Sequence, residues 1–116
     1  MLNFTTSEVS DVLVINFETT ADENQDWQFG QRDWLYKLIE SREAGRFAID
    51  LTDINYLASS EIGFLVTIKR RIDRNKGRLV IYGISPYIMD IFQTMNLHKV
   101  LDIVDNRAAA VAKLKS

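Results

Sequence analysis

The chain has 116 residues, 47% hydrophobic and 26% charged, enough apolar material for one domain over residues 1–116 to bury a core without staples. It contains no cysteine, which excludes disulfide frameworks, thiolate metal sites and cysteine nucleophiles. The net charge of −2 argues against nucleic acid as the main partner. No apolar run is long enough to cross a bilayer, and the opening MLNFTTSEV lacks the basic-then-apolar order of a signal sequence, so the expected location is the cytoplasm.

Asp11 to Glu18, DVLVINFE, alternates as a half-buried strand does. A polar stretch, TTADENQD, then opens a helix from about Asp26, with Trp27, Trp34, Leu35, Leu38 and Ile39 near one side and Gly45 as its expected C-terminal cap. Arg46 to Asp53, RFAIDLTD, reads as a central strand. From Ser60 the spacing of Ile62, Leu65, Ile68 and Ile72 predicts an amphipathic helix, ended by Asn75-Lys76-Gly77. Arg78 to Gly83 is a further buried strand. Ser85-Pro86 is a hydroxyl cap followed by proline at the first helical position, opening a helix through Met95 with Asn96 as a left-handed terminator. Val100 to Val104 reads as a short last strand. Asp105 or Asn106 can cap a final alanine-rich helix, Arg107 to Lys115. Strand and helix alternate throughout, which predicts an α/β fold: a mixed, mostly parallel sheet of four to five strands with about four helices packed on it.

Charge is unevenly placed. Through Asp53 there are 11 acids and 4 bases; beyond it, 5 acids and 10 bases. Six of the bases fall between Lys69 and Arg78, either as the solvated face and last turn of a helix, as an anion-binding patch, or as a protein-binding rim. Catalytic sets are hard to find. The lone histidine, His98, follows a helix end and reads as a surface or capping residue. Asp50 and Asp53, three apart in an extended segment, point to opposite faces and form no acid–base pair. The five glycines are scattered and make no phosphate-binding loop, and no metal-loop spacing occurs. The expectation is a protein without enzymatic activity, cofactor or metal.

LASSEIGFL, residues 57–65, is the informative stretch. Either one of Ser59 and Ser60 caps the helix, satisfying amides without an intrahelical partner, or the hydroxyls accept a phosphate, which the amides and the helix dipole both favour.

DLTDINYLASSEIG (50–63) and KGRLVIYGISP (76–86) together closely resemble the STAS family, the sulphate-transporter and anti-sigma-factor-antagonist domains. Its members show a strand ending D-L-S-x-V, a D-S-S-G-L-G switch at a helix start, and G-G-x-L-x-L-x-G-x-S-P. LHKVLDI (97–103) matches a downstream piece, and the likeness spans about residues 9 to 112. It implies helices mainly on one sheet face and a non-catalytic protein that binds an anti-sigma factor. That partner is usually a serine kinase with a histidine-kinase-like ATP fold. The resemblance places phosphorylation on the second serine, Ser60, with Ser59 as the alternative, and implies reversal by a metal-dependent PP2C-type phosphatase.

Here Ala58 stands where the family has aspartate, Glu61 where it has glycine, and NFETTADENQ where a G-x-L-D-like stretch is usual. Alanine cannot cap the helix. Glu61 favours the helix start but repels a neighbouring phosphate. The expected contact surface is Asp53, Asn55, Ala58, Ser59, Ser60, Glu61, Phe64 and Ser85. A competing reading is a scaffold or regulatory subunit in a signalling or lipid-transport complex, with no phosphate involved. Neither reading needs nucleic acid or membrane insertion, and monomer and weak dimer both remain open.

Overall fold

A computed structural model describes residues 2–19 and 25–115. Chain order is β1 (Leu2–Val9), β2 (Val12–Thr19), α1 (Gln25–Glu40), β3 (Arg46–Asp50), α2 (Ser59–Arg74), β4 (Arg78–Tyr82), α3 (Pro86–Thr94), a 3-10 turn (Leu97–Lys99), β5 (Ile103–Val104) and α4 (Arg107–Lys115). The five strands lie side by side in sequence order. β1 runs antiparallel to β2, with Leu2 opposite Thr19 and Val9 opposite Val12. The other pairs are parallel, Val12 beside Arg46 and Arg46 beside Arg78. This is the mixed, mostly parallel sheet with four helices that the alternation predicts.

Period-two alternation divides the core. Leu13, Ile15, Phe17, Phe47, Ile49, Leu79 and Ile81 face α1, α2 and α3, meeting Leu35, Ile39, Leu65, Ile68, Ile72, Ile88 and Phe92. Val12, Val14, Ala48, Val80 and Tyr82 face the other way, against Ala110 and Leu114 of α4. The last helix is therefore docked on the back of the sheet.

Several expectations are corrected. β1 is an unpredicted strand, joined to β2 by a two-residue turn in which Ser10 and Asp11 both have positive φ, 51° and 68°. That combination matches the twist a tight hairpin requires. β3 stops at Asp50, because its carboxylate accepts the Thr52 N–H at 2.8 Å and turns the chain. α1 ends at Glu40, and the left-handed residue after it is Ala44 (φ 57°), not Gly45. Gly45 is required for room: a Cβ there would lie 2.9 Å from the Arg42 carbonyl oxygen. Trp34 is half exposed and stacks on Phe4 rather than entering the core. The side chain of Trp27 lies outside the described residues. The last strand shrinks to Ile103–Val104 because residues 97–99 form a 3-10 turn. Asn96 takes the expected left-handed conformation (φ 60°), and Ser85 caps α3, accepting the Ile88 N–H at 3.3 Å. Asn106 caps α4 through the Ala109 N–H at 2.9 Å.

Candidate functional site

The C-terminal ends of the parallel strands β3 and β4 meet at one end of the sheet, so residues 51–58 and 83–85 emerge side by side there. Two contacts lock these segments together. Leu51 N–H donates to the Tyr82 carbonyl at 3.0 Å, and Gly83 (φ 79°) lies so close to Thr52 that a Cβ would sit 2.3 Å from its Oγ1. Leu51, Ile54 and Leu57 are buried anchors, while Thr52, Asp53, Asn55 and Tyr56 between them stay exposed. The loop is thus pinned by its apolar residues and presents its polar ones.

α2 begins at this end. Its N-cap is Ala58, with extended backbone (φ −74°, ψ 161°), so Ser59 and Ser60 are the first two helical residues and both are exposed. Neither serine caps the helix, contrary to one sequence expectation. Alanine has no acceptor, and only half of a capping box forms: Glu61 Oε1 accepts the Ala58 N–H at 2.7 Å. The Glu61 and Ile62 amides are bound by the Ala58 carbonyl at 3.0 Å each. Among the described residues nothing accepts from the Ser59 and Ser60 amides. The tip therefore carries two exposed hydroxyls above two open N–H donors, at the positive end of a helix of 16 residues.

The structure brings Asp53, Asn55, Ala58, Ser59, Ser60, Glu61 and Ser85 to this end of the fold. Ser85 is half-buried and occupied as the α3 cap. Phe64 is a correction. It is 5% exposed, packed edge-on by Phe17 and Tyr36 with the Arg32 guanidinium 4.5 Å above its ring, and offers no surface to a partner. Two residues that the sequence reading missed belong to the surface: Tyr56 in the loop before α2 and Tyr87 in the first turn of α3, 63% and 56% exposed. A half-exposed aromatic ring is the type of side chain that anchors protein contacts.

At the same end, a polar chain runs along the back of the sheet. Arg107 Nε, at the start of α4, donates to the buried Tyr82 hydroxyl at 3.1 Å. Burial pushes the Tyr82 pKa up; the hydrogen bond from Arg107 opposes that, and the Asp50 carboxylate adds to it. Bonding to Tyr82 in turn raises the Arg107 pKa. Asp50, Tyr82 and Arg107 thus tie the back helix to the loop that leads into α2.

Among the described residues no group of three His, Cys, Asp or Glu is placed to hold a metal ion. No described helix is long and apolar enough to cross a membrane.

This fold, with a serine pair opening the helix after its third strand, defines a class, and comparison with known proteins agrees. The STAS domain model matches residues 6–110, and the chain belongs to that family. BtrV of Bordetella bronchiseptica, whose name describes it as an anti-sigma factor antagonist, is 21% identical over 71 residues, 61% of this chain and 61% of that protein's length. An anti-sigma-factor antagonist (STAS) domain protein from Planctomyces limnophilus superposes with a TM-score of 0.82 at 20% identity, covering 97% of this chain and 98% of that one. RsbS from Moorella thermoacetica gives 0.81 at 22% identity, covering 97% and 94%. The Bacillus cell fate determinant SpoIIAA in its phosphorylated form gives 0.69 at 18% identity, covering 96% and 98%.

Proposed function

We propose that this chain is an anti-sigma factor antagonist that binds a serine-kinase anti-sigma factor through the tip of α2 and is released when Ser60 is phosphorylated. The observation that carries the reading is the exposure of Ser59 and Ser60 in the first turn, over unoccupied amides and at the same end of the sheet as exposed Tyr56 and Tyr87. A relative's name and the existence of a phosphorylated SpoIIAA structure support it. A phosphate adds about −1.5 to −2 charges at pH 7. In the free protein the open amides accommodate that charge. In a desolvated interface an uncompensated dianion costs several kcal/mol, and about 1.4 kcal/mol is tenfold in affinity. One covalent change therefore separates the partners, and a metal-dependent phosphatase would restore the contact.

The test is intact-mass measurement after incubation with ATP and the candidate kinase, together with partner affinity of Ser60→Ala and Ser60→Asp. One phosphate on wild type, none on Ser60→Ala, and a loss of about tenfold or more in affinity for Ser60→Asp are expected. Absence of phosphate on wild type, with both variants binding equally, refutes the switch. One observation favours a second reading, a scaffold or regulatory subunit without phosphorylation: Glu61 already sets a carboxylate in the first turn, folded back on Ala58.

A further inference from the structure

We propose that copies of this chain associate head to tail, the end carrying the strand N-termini docking against the α2-tip end of the next copy. The helices run back against the parallel strands, so helix C-termini and strand N-termini share one end of the molecule. Of the chain's 14 Lys and Arg, all except Arg32 and Arg107 lie in the second half of a helix, at the first residue of a strand, or in the turns joining them. The charge asymmetry of the sequence thus becomes a polarity of the fold.

Most carboxylates at the basic end are consumed locally. Asp33, Glu40, Glu43, Asp73, Glu8 and Asp102 pair with Lys37, Arg71, Lys76, Lys69, Arg42 and Lys113 respectively. Exposed Arg46, Arg70 and Arg74 have no carboxylate in ion-pairing range among the described residues. Arg70 and Arg74 sit one turn apart on α2, where like charges weaken a helix.

At the opposite end Glu18, Asp53 and Asp105 are exposed with no cation in range among the described residues. The two cations there are engaged, Arg107 on Tyr82 and Arg32 over Phe64. The 16 residues of α2 hold the ends about 24 Å apart. That exceeds the screening length of about 8 Å at physiological salt, so the ends cannot neutralise each other within one molecule. A second copy offers each end its complement. Such a contact is heterologous, so it propagates into a chain or closes into a ring. It does not depend on phosphorylation, although it uses the end that carries Ser60.

Sedimentation velocity over a concentration series tests this at about 0.01 M and about 1 M salt, where screening lengths are about 30 Å and 3 Å. The average mass should rise with concentration at low salt and return to the monomer value at high salt. R70E/R74E and D53K/D105K, each with circular dichroism matching wild type, should be monomeric alone. Mixed, the reversed ends complement each other as the native ends do, so association should return. A wild type that stays monomeric at low salt overturns the proposal, as does association indifferent to salt or to R70E/R74E, or a mixture that remains monomeric.

Discussion

Replacing Ala58 with aspartate puts a side-chain acceptor at a position whose backbone already has the conformation of a helix cap, φ −74° and ψ 161°. The Ser60 amide has no acceptor among the described residues, so the new carboxylate receives a donor that wild type leaves to water. An N-cap side chain contributes about 1 kcal/mol, and a negative charge at a helix start about 0.3–1 kcal/mol more. Repulsion from Glu61, three residues on, removes about 0.2–0.5 kcal/mol. The net expectation is a gain of about 1 kcal/mol. For a domain near 100 residues that raises Tm by about 4–8 °C.

Urea unfolding followed by circular dichroism reads the effect as a higher midpoint at unchanged slope. A midpoint that is unchanged or lower, at the same slope, refutes the reasoning, because it means that the tip lacks no cap. Glu61→Ala in both backgrounds then isolates the half box. In wild type it leaves the Ala58 amide without its bond, a loss of about 1 kcal/mol.

Three further outcomes follow from the same end of the molecule. Gly83→Ala forces a side chain into left-handed backbone and onto Thr52, so a loss of about 2–4 kcal/mol is expected in the urea midpoint. Tyr82 binds its proton more tightly folded than unfolded, so its contribution is complete below the ordinary tyrosine value of about 10 and is lost as pH rises above it. Tyr82→Phe should reduce the fall in stability above about pH 10 without abolishing it, since the Tyr36 pKa is also raised, chiefly by burial. Glu61→Gly should cost about 2 kcal/mol, about 1 from the lost bond to the Ala58 amide and about 1 from the poor helix propensity of glycine, yet speed phosphorylation of Ser60 by the kinase. An unchanged rate would show that Glu61 is no obstacle.

The central strands and α2 are legible in the sequence because their burial is periodic: Ile62, Leu65, Ile68 and Ile72 keep a helical spacing, and all four are buried. β1 is not legible, because one face of the strand is Asn3, Thr5 and Ser7, and its inward face carries Thr6 and Glu8 beside Phe4. Its hairpin turn also lacks glycine, the usual signal. At the site, the serine pair at a helix start is readable, but its capping is not. The register that makes Ala58 the cap depends on where Leu57 anchors, which is a tertiary fact. Phe64 is a different error: it stands four residues before Ile68 and eight before Ile72, so helical spacing already places it inward. Tyr56 and Tyr87 escaped notice because nothing local separates an exposed aromatic in a loop or a first helical turn from one folded under it.

Ala58 and Glu61 are better understood together than as two separate departures from the family pattern. In D-S-S-G the carboxylate precedes the serines, where it can occupy the helix amides. In A-S-S-E it follows them and reaches back to the Ala58 amide instead. The first turn keeps one negative charge either way, so the dipole is served in both arrangements. What differs is which donors are left open. Here Ser59 and Ser60 retain theirs, beneath the hydroxyls that the proposed kinase would modify. An added phosphate then meets free N–H groups on one side and the Glu61 carboxylate on the other. The depth of the switch is set by the balance of those two contacts, and Ala58→Asp shifts it by filling the amides while Glu61→Gly shifts it by removing the repulsion.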